Sequence, residues 1–282
     1  MILIADCGST KIDWCVLNGK EKVAQVFTCG MNAMMLTEEE MFETIKKELV
    51  PQLNGMEITE VYYYGAGCLF ENVCNNVRNA IKRNIPSAEK IEVQSDLLAA
   101  ARALCGDKPG IACILGTGSN SCLYDGHNIV KNVRSLGFIL GDEGSGGAMG
   151  RLFVSDCLKN IAPAELIEAF FDEFKVTPDE IMDSVYNNPL ANRNLRKYSF
   201  FLAEHLDVDY VRQLVTNEIS RFFERNVCQY DYKQYPVCFV GSVACMYSEV
   251  LLHVAGKYGA SVKKIVRNSM PGLITYHKPD VQ

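Results

Sequence analysis

The chain has 282 residues, 48% of them hydrophobic and 22% charged, with a formal net charge of −6 at neutral pH. That is enough for two domains with cores of their own, at an apolar content normal for a globular protein. The acidic balance argues against nucleic acid or an anionic membrane as a partner, and no apolar run approaches the roughly 20 residues of a membrane span.

In chain order, residues 2–5 predict a strand, followed by the turn Asp6-Cys7-Gly8-Ser9-Thr10, a strand over 12–17, an Asn18-Gly19 turn and a strand over 23–27. The N-terminus enters that strand directly, without the basic and apolar regions of a secretory leader, so a cytoplasmic protein is expected. A loop over 28–32 precedes a helix over 37–53, opened by Thr37 with Glu40 as a capping box. A strand over 60–64 ends at Gly65-Ala66-Gly67, and an amphipathic helix over 71–84 is stopped by Pro86. A short strand over 90–94 then meets Ser95-Asp96, which opens an Ala-rich helix over 97–104 closed by Gly106. The order is β-β-β-α-β-α-β-α.

The chain then starts over. Residues 111–115 read as a buried strand, Gly116-Thr117-Gly118-Ser119 as a tight turn, 121–124 and 129–133 as two further strands. Glycines let the backbone approach a ligand, and the successive free N–H groups of such a turn form an anion-binding concavity. A glycine-rich segment runs from Leu136 through Gly137 and Leu140-Gly141-Asp142-Glu143-Gly144-Ser145-Gly146. Helices over 146–160 and 163–174 lead into mostly helical text up to Tyr235, an insertion over about 152–235. A buried strand over 237–240 ends in Gly241-Ser242-Val243-Ala244; a helix over 246–257, a strand over 262–266 and a helix from Pro271 complete the chain. Without the insertion, the second half repeats the first. Two similar domains, 1–110 and 111–282, are therefore expected, with the terminal helix able to pack back on the first.

A dinucleotide-binding fold would begin strand–helix, with Gly-x-Gly-x-x-Gly at the first turn, and a P-loop would need Gly-x₄-Gly-Lys-[Ser/Thr]; neither is present. The 12 cysteines form no Cys-x-x-Cys pair and no zinc spacing with histidine, so they read as reduced structural thiols. The four histidines are scattered and read as packing or surface groups.

Taken together, Asp6-Cys7-Gly8-Ser9-Thr10, Gly116-Thr117-Gly118-Ser119, Leu140-Gly141-Asp142-Glu143-Gly144-Ser145-Gly146 and Gly241-Ser242-Val243-Ala244 resemble the actin/hexokinase superfamily. More narrowly, the sequence resembles the N-acetylglucosamine kinase branch of the BadF/BadG/BcrA/BcrD ATPase family over essentially its whole length. The resemblance implies an α/β fold of two ribonuclease-H-like domains with ATP in the cleft between them. It implies that Gly8, Ser9 and Thr10, with Gly116, Thr117, Gly118 and Ser119, hold the phosphates, and that Gly241 and Ser242 lie against adenosine. Asp6 would organise Mg²⁺ through water. Asn32, Gly137 and Asp142 match substrate-binding positions, and Asp96 the catalytic base at the sugar hydroxyl. The implied activity is phosphorylation of the 6-hydroxyl of an amino sugar, N-acetylglucosamine first, by a homodimer. The tryptophan that some sugar-specific members carry near Gly137-Phe138 is absent, which leaves the acceptor open among amino sugars. The same family includes ATPases that activate a dehydratase through an iron–sulfur cluster, and a sugar sensor without turnover is a third reading.

Each residue also has a plainer role. Asp6 could cap its turn, and Asn32 could bond only to its local backbone. Asp142 and Glu143 could be solvated turn residues. Asp96 could simply be the N-cap of its helix; a helix N-terminus favours the carboxylate, so a weak base with a normal or low pKa is expected. Phosphoryl transfer tolerates a weak base, because the hydroxyl proton can leave late in a loose transition state.

Overall fold

A computed structural model of the chain describes residues 1–8, 11–188 and 190–278; Ser9 and Thr10, expected at the first phosphate turn, lie outside the described residues. The chain divides into two compact units. Unit 1 comprises 1–107, 126–128 and 269–282, and unit 2 comprises 108–125 and 129–268.

Unit 1 is built on a five-stranded mixed sheet. Strands β1 (Ile2–Cys7), β2 (Lys11–Asn18) and β3 (Glu21–Cys29) form an antiparallel meander, and β4 (Glu60–Gly65) and β5 (Lys90–Ser95) add in parallel to give the order β3-β2-β1-β4-β5. Successive side chains of β1 point to opposite faces. Leu3, Ala5 and Cys7 therefore join one core with Trp14 and Tyr63, while Ile4 joins another with Tyr62 and Tyr64. Helices α1 (Glu38–Thr44) and α2 (Glu71–Asn84) belong to the first face, and α3 (Asp96–Cys105) to the second. Thr37 and Glu40 make the expected reciprocal capping box. The expected single helix over 37–53 is not continuous: a π-turn over Ile45–Leu49 and a 3-10 turn over Val50–Leu53 follow α1. Pro51 in that last turn has no N–H to continue an α-helical ladder.

Unit 2 repeats the plan with β6 (Gly110–Leu115), β7 (Ser119–Tyr124) and β8 (Ile129–Val133), the sheet order being β8-β7-β6-β9-β10. Between β8 and β9 stand α4 (Gly137–Leu140), α5 (Gly146–Leu158), α6 (Ala164–Phe174), α7 (Pro178–Tyr186), α8 (Ala191–Arg196), α9 (Tyr198–Glu204) and α10 (Asp209–Arg225). An aromatic cluster that includes Phe153, Phe170, Phe201, Phe222 and Phe223 welds this helical region onto the β6 face carrying Ile111, Cys113 and Leu115. Strand β9 (Val237–Val240) leads into α11 (Ser242–Met246) and α12 (Ser248–Tyr258), and β10 (Val262–Val266) completes the sheet. Both units are α/β folds of the ribonuclease-H type: unit 1 reads β-β-β-α-β-α-β-α, and unit 2 follows the same order as far as β10, with α5 in the place of its first helix and α11–α12 in that of its second.

The last helix, α13 (Met270–His277), belongs to unit 1. It lies close against α3, where a Cβ at Gly272 would stand 2.3 Å from the Ala103 carbonyl oxygen.

Candidate active site

In unit 1 the candidate groups gather at the C-terminal ends of the parallel strands, where ligands of open α/β sheets bind. Strand register places Asp6 beside Asp13 of β2 and Tyr64 of β4, and pairs Gly65 with Ser95, one residue before Asp96. At the turn itself the Gly8 N–H donates to the Lys11 carbonyl at 3.0 Å. Burial pushes the Asp6 carboxyl up to about 6, and the negative charges of Asp96 and Asp13 add to the shift. Ser269, just ahead of α13, donates to the carboxylate and opposes it in part.

Asp96 is not the N-cap of α3. Ser95 takes that place, its Oγ accepting from the Leu98 N–H at 3.3 Å, which leaves Asp96 as the first helical residue. Nor is its pKa normal or low. Desolvation raises it, and the Leu97 and Asp96 backbone N–H groups only reduce the rise. The helix N-terminus acts in the expected direction and burial outweighs it.

Asn32 stands on the loop after β3, which the Ala33 N–H ties to the Ala66 carbonyl at 3.3 Å. Its Oδ1 accepts from the Met34 N–H at 3.1 Å, so the local backbone bond is made through the carbonyl oxygen and the amide nitrogen is left as a donor. The neighbouring turn is built for that side chain. Gly67 has φ +84, and a Cβ there would meet Asn32 Oδ1 at 2.4 Å.

In unit 2 the turn between β6 and β7 spans Gly116 to Gly118, closed by the Gly116 N–H on the Gly118 carbonyl at 3.0 Å. Helix α5 is anchored on the same turn, Gly146 N–H donating to the Gly116 carbonyl at 2.9 Å and Gly147 N–H to that of Thr117 at 3.1 Å. Asp142, buried and in the left-handed region at φ 57, braces the turn: its Oδ1 accepts from the Ser119 N–H at 3.2 Å. A Cβ at Gly118 would stand 2.7 Å from Asp142 Oδ2, so glycine is what lets the carboxylate reach the turn. Asn192 Nδ2 donates to the other oxygen at 3.4 Å, and burial raises the pKa of this acid too. Asp142 and Glu143 are not solvated turn residues. Glu143 is buried and paired with Arg225 at 2.6 Å.

Gly241 sits at φ +133, hard against the turn; a Cβ there would be 2.0 Å from the Leu115 carbonyl oxygen. Ser242 begins α11 and its Oγ accepts from Arg196 Nη2 at 3.1 Å. Gly137 has φ +73 and opens α4, a short helix within the glycine-rich segment, whose Ile139 and Leu140 are exposed. Helix α8 thus brings Asn192 and Arg196 to the two glycine segments, and neither was marked by a sequence motif. A donor three or four residues apart on one helix face is the signal that could have pointed to them.

The acids of unit 1 suit a hard, hydrated dication. Asp6 ends a strand with two further carboxylates acting on it, a repulsion that a cation relieves. Among the described residues no group of three or more His, Cys, Asp or Glu side chains is placed to hold a metal ion.

Two ribonuclease-H-like units in one chain, each with a hairpin turn at the head of its sheet, define the actin/hexokinase superfamily. Comparison with solved structures makes the assignment narrower. A candidate N-acetylglucosamine kinase from Porphyromonas gingivalis is 45% identical, with 99% of each chain covered and a TM-score of 0.96. A candidate N-acetylglucosamine kinase from Chromobacterium violaceum shares 14% identity over 98% of each chain, at a TM-score of 0.79. A glucokinase of the ROK family from Streptomyces griseus, solved with glucose and AMPPNP, shares the fold at 13% identity and a TM-score of 0.57, over 98% of this chain and 97% of its own. No family model and no curated protein matches the sequence. The chain belongs to the N-acetylglucosamine kinase-like branch of the BadF/BadG/BcrA/BcrD ATPase family.

Proposed function

We propose that this protein is an ATP-dependent sugar kinase that transfers the γ-phosphoryl group to the 6-hydroxyl of an amino sugar, N-acetylglucosamine being the first acceptor to test. The observation that carries the reading is the half-buried pair of acids Asp6 and Asp96 at one end of the unit 1 sheet, in a chain so close to a candidate kinase of that sugar.

Phosphoryl transfer needs positioning and charge neutralisation more than covalent help from the protein. Asp96 accepts the proton of the acceptor hydroxyl. Its raised pKa makes it a better base than a solvated aspartate. Asn32, with its amide nitrogen left to donate, suits a sugar hydroxyl or carbonyl, and Asp142 has acceptor capacity beyond the turn it braces. In the turn Gly116–Ser119 the Thr117 and Gly118 N–H groups are used neither by the closing bond of Gly116 nor by the bond of Ser119 to Asp142 and would donate to phosphate oxygens, and Gly241 with Ser242 would face the nucleoside. Asp6 would hold a hydrated Mg²⁺, which supplies neutralisation of the phosphate charge when bound. A cytoplasmic homodimer is part of the same reading; among the described residues no helix is long and apolar enough to cross a membrane.

The test is ADP release from ATP and Mg²⁺ over N-acetylglucosamine, glucosamine, N-acetylmannosamine, N-acetylmuramic acid and glucose, with Asp96→Asn beside the native protein. Turnover that depends on one sugar and disappears in Asp96→Asn supports the kinase and names its acceptor. Hydrolysis indifferent to every sugar and to Asp96 rejects it and points to the dehydratase-activating ATPases. Light scattering on the same sample tests the dimer.

A further inference from the structure

In unit 2 Arg196 reaches Ser242 while the charges of Arg193 and Arg267 act on it, and among the described residues no ion pair joins it to a carboxylate. Arg196 ends α8 and reaches Ser242 Oγ with Nη2 at 3.1 Å. Its stem crosses the first residue of α5, since a Cβ at Gly146 would stand 3.0 Å from Arg196 Cγ. Its guanidinium lies over the Phe200 ring, 5.1 Å from the centroid. Arg193 is one turn back on the same helix. Arg267 directly follows β10, whose Val266 carbonyl accepts from the Gly241 N–H at 2.9 Å.

Among the described residues Arg196 forms no ion pair, and its Nε is buried without a hydrogen-bond partner. The charged groups acting on it are Arg193 and Arg267, and they push in the same direction as burial, lowering its pKa. A partly buried cation with like charges for neighbours costs the fold stability unless an anion joins it. The place where an anion would sit is marked by the glycines. Gly241, next to Ser242, is packed so closely that a Cβ there would lie 3.3 Å from the Gly116 nitrogen, at the start of the phosphate turn.

We infer that Arg196, supported by Arg193 and Arg267, binds the phosphate groups of the nucleotide, so that the helical region between β8 and β9 supplies the positive charge that the uncharged glycine turn lacks. The inference rests on reading unit 2 as nucleotide-binding. A guanidinium fork matches two phosphate oxygens at once, and its bonds to them are charge-assisted. On binding, Arg196 exchanges or shares its neutral bond to Ser242 for one to an anion.

The experiment is calorimetric titration of adenosine, AMP and ADP without Mg²⁺ into the native protein, Arg196→Gln and Arg267→Gln. In the native protein affinity rises with the number of phosphates. Arg196→Gln lowers ADP affinity by about tenfold or more and leaves adenosine within about twofold, the adenosine result showing that the pocket is intact. Arg267→Gln, an exposed position with no core to disturb, lowers ADP affinity by about threefold. Native affinity equal for adenosine and ADP overturns the inference, and so does ADP binding unchanged in both variants or falling in step with adenosine. Should Arg196→Gln fail to fold, Arg267→Gln alone decides on the same criterion. No sugar enters these titrations. A protein that phosphorylates no sugar of the panel yet shows the phosphate-dependent loss keeps this inference and loses the kinase reading; sugar turnover with unaltered ADP binding in the variants does the reverse.

Discussion

The two units share a sheet order and a hairpin turn at the head of the first strand, yet they differ in the charges around it: acids act on Asp6 in unit 1, while in unit 2 one acid, Asp142, bonds to the turn backbone and arginines stand by the adjoining Ser242 segment. In unit 1, Asp6 is two residues before the turn glycine and has Asp13 and Asp96 as its charged neighbours. In unit 2 the residue at the same ladder position is Ile114, paired with Asn120, and the charged groups near Gly241 and Ser242 are arginines. Under the proposed roles, one duplicated fold would take a cation and a hydroxyl proton in one copy and anions in the other. The scaffold sets where a ligand meets backbone N–H groups. The side chains next to the turn decide what that ligand is.

The acidic edge carries the largest expected effect. Asp96→Asn keeps the shape and removes the base, and kcat should fall by about 10² to 10⁴ while ADP binding holds. The matching loss in unit 2, from Arg196→Gln, should appear in nucleotide affinity instead. If Asp96→Asn weakened ADP as strongly as it slowed turnover, the division of labour between the units would be wrong.

The two turns also differ in how tightly they are packed. Gly241 holds φ +133 and a Cβ there would meet the Leu115 oxygen at 2.0 Å, whereas the closest atom to a Cβ at Gly8 is the Lys11 oxygen at 3.5 Å, with no positive φ. Gly241→Ala should therefore cost about 2–4 kcal/mol by strain and displacement, and Gly8→Ala less than about 0.5 kcal/mol. Urea unfolding of the two variants makes the comparison directly. Equal costs would mean that the second turn is as free as the first. Asp142→Asn should fall between them, at about 1–3 kcal/mol. One oxygen that now accepts, from Ser119 and Ser135 or from Asn192, becomes an amide with nothing to donate to.

These differences explain what could be read in advance. The hairpins, the glycine turns and the strand order follow from alternation and turn chemistry within short stretches, so both ribonuclease-H-like halves were legible. So was the capping box at Thr37, a four-residue pattern. Asp96 was legible as a position but not as an acid: its local sequence states only a helix N-terminus, while its pKa is set by burial that exists only after α3 packs on the sheet. The break after Thr44 has one local signal, Pro51, which the strong helical period over 37–53 masks. Arg193 and Arg196 had no signal at all. They sit in ordinary helical text, and their meaning comes from Ser242, 46 residues from Arg196 along the chain.

The smallest effect concerns how each unit holds its last helix. In unit 2, α12 ends on Tyr258, whose ring stacks on Phe223 with centroids 5.4 Å apart. In unit 1, α13 ends on His277, stacked on Tyr62 at 4.0 Å and hydrogen-bonded through Nε2 to the Tyr64 hydroxyl at 2.7 Å. Burial above all, then the positive charges of Arg102 and Lys90, lowers the His277 pKa from 6.5 to about 4. The folded state therefore prefers the neutral imidazole. Its contribution is complete above the unfolded pKa of 6.5 and is lost as the pH falls through the folded value near 4. Acid should loosen α13 before α12. Hydrogen exchange at neutral pH and again near pH 4.5 should show protection falling more in α13, and His277→Gln should flatten that dependence while leaving α12 as it was. Equal loss in the two helices, or an α13 response that survives His277→Gln, would assign the acid sensitivity to some other group.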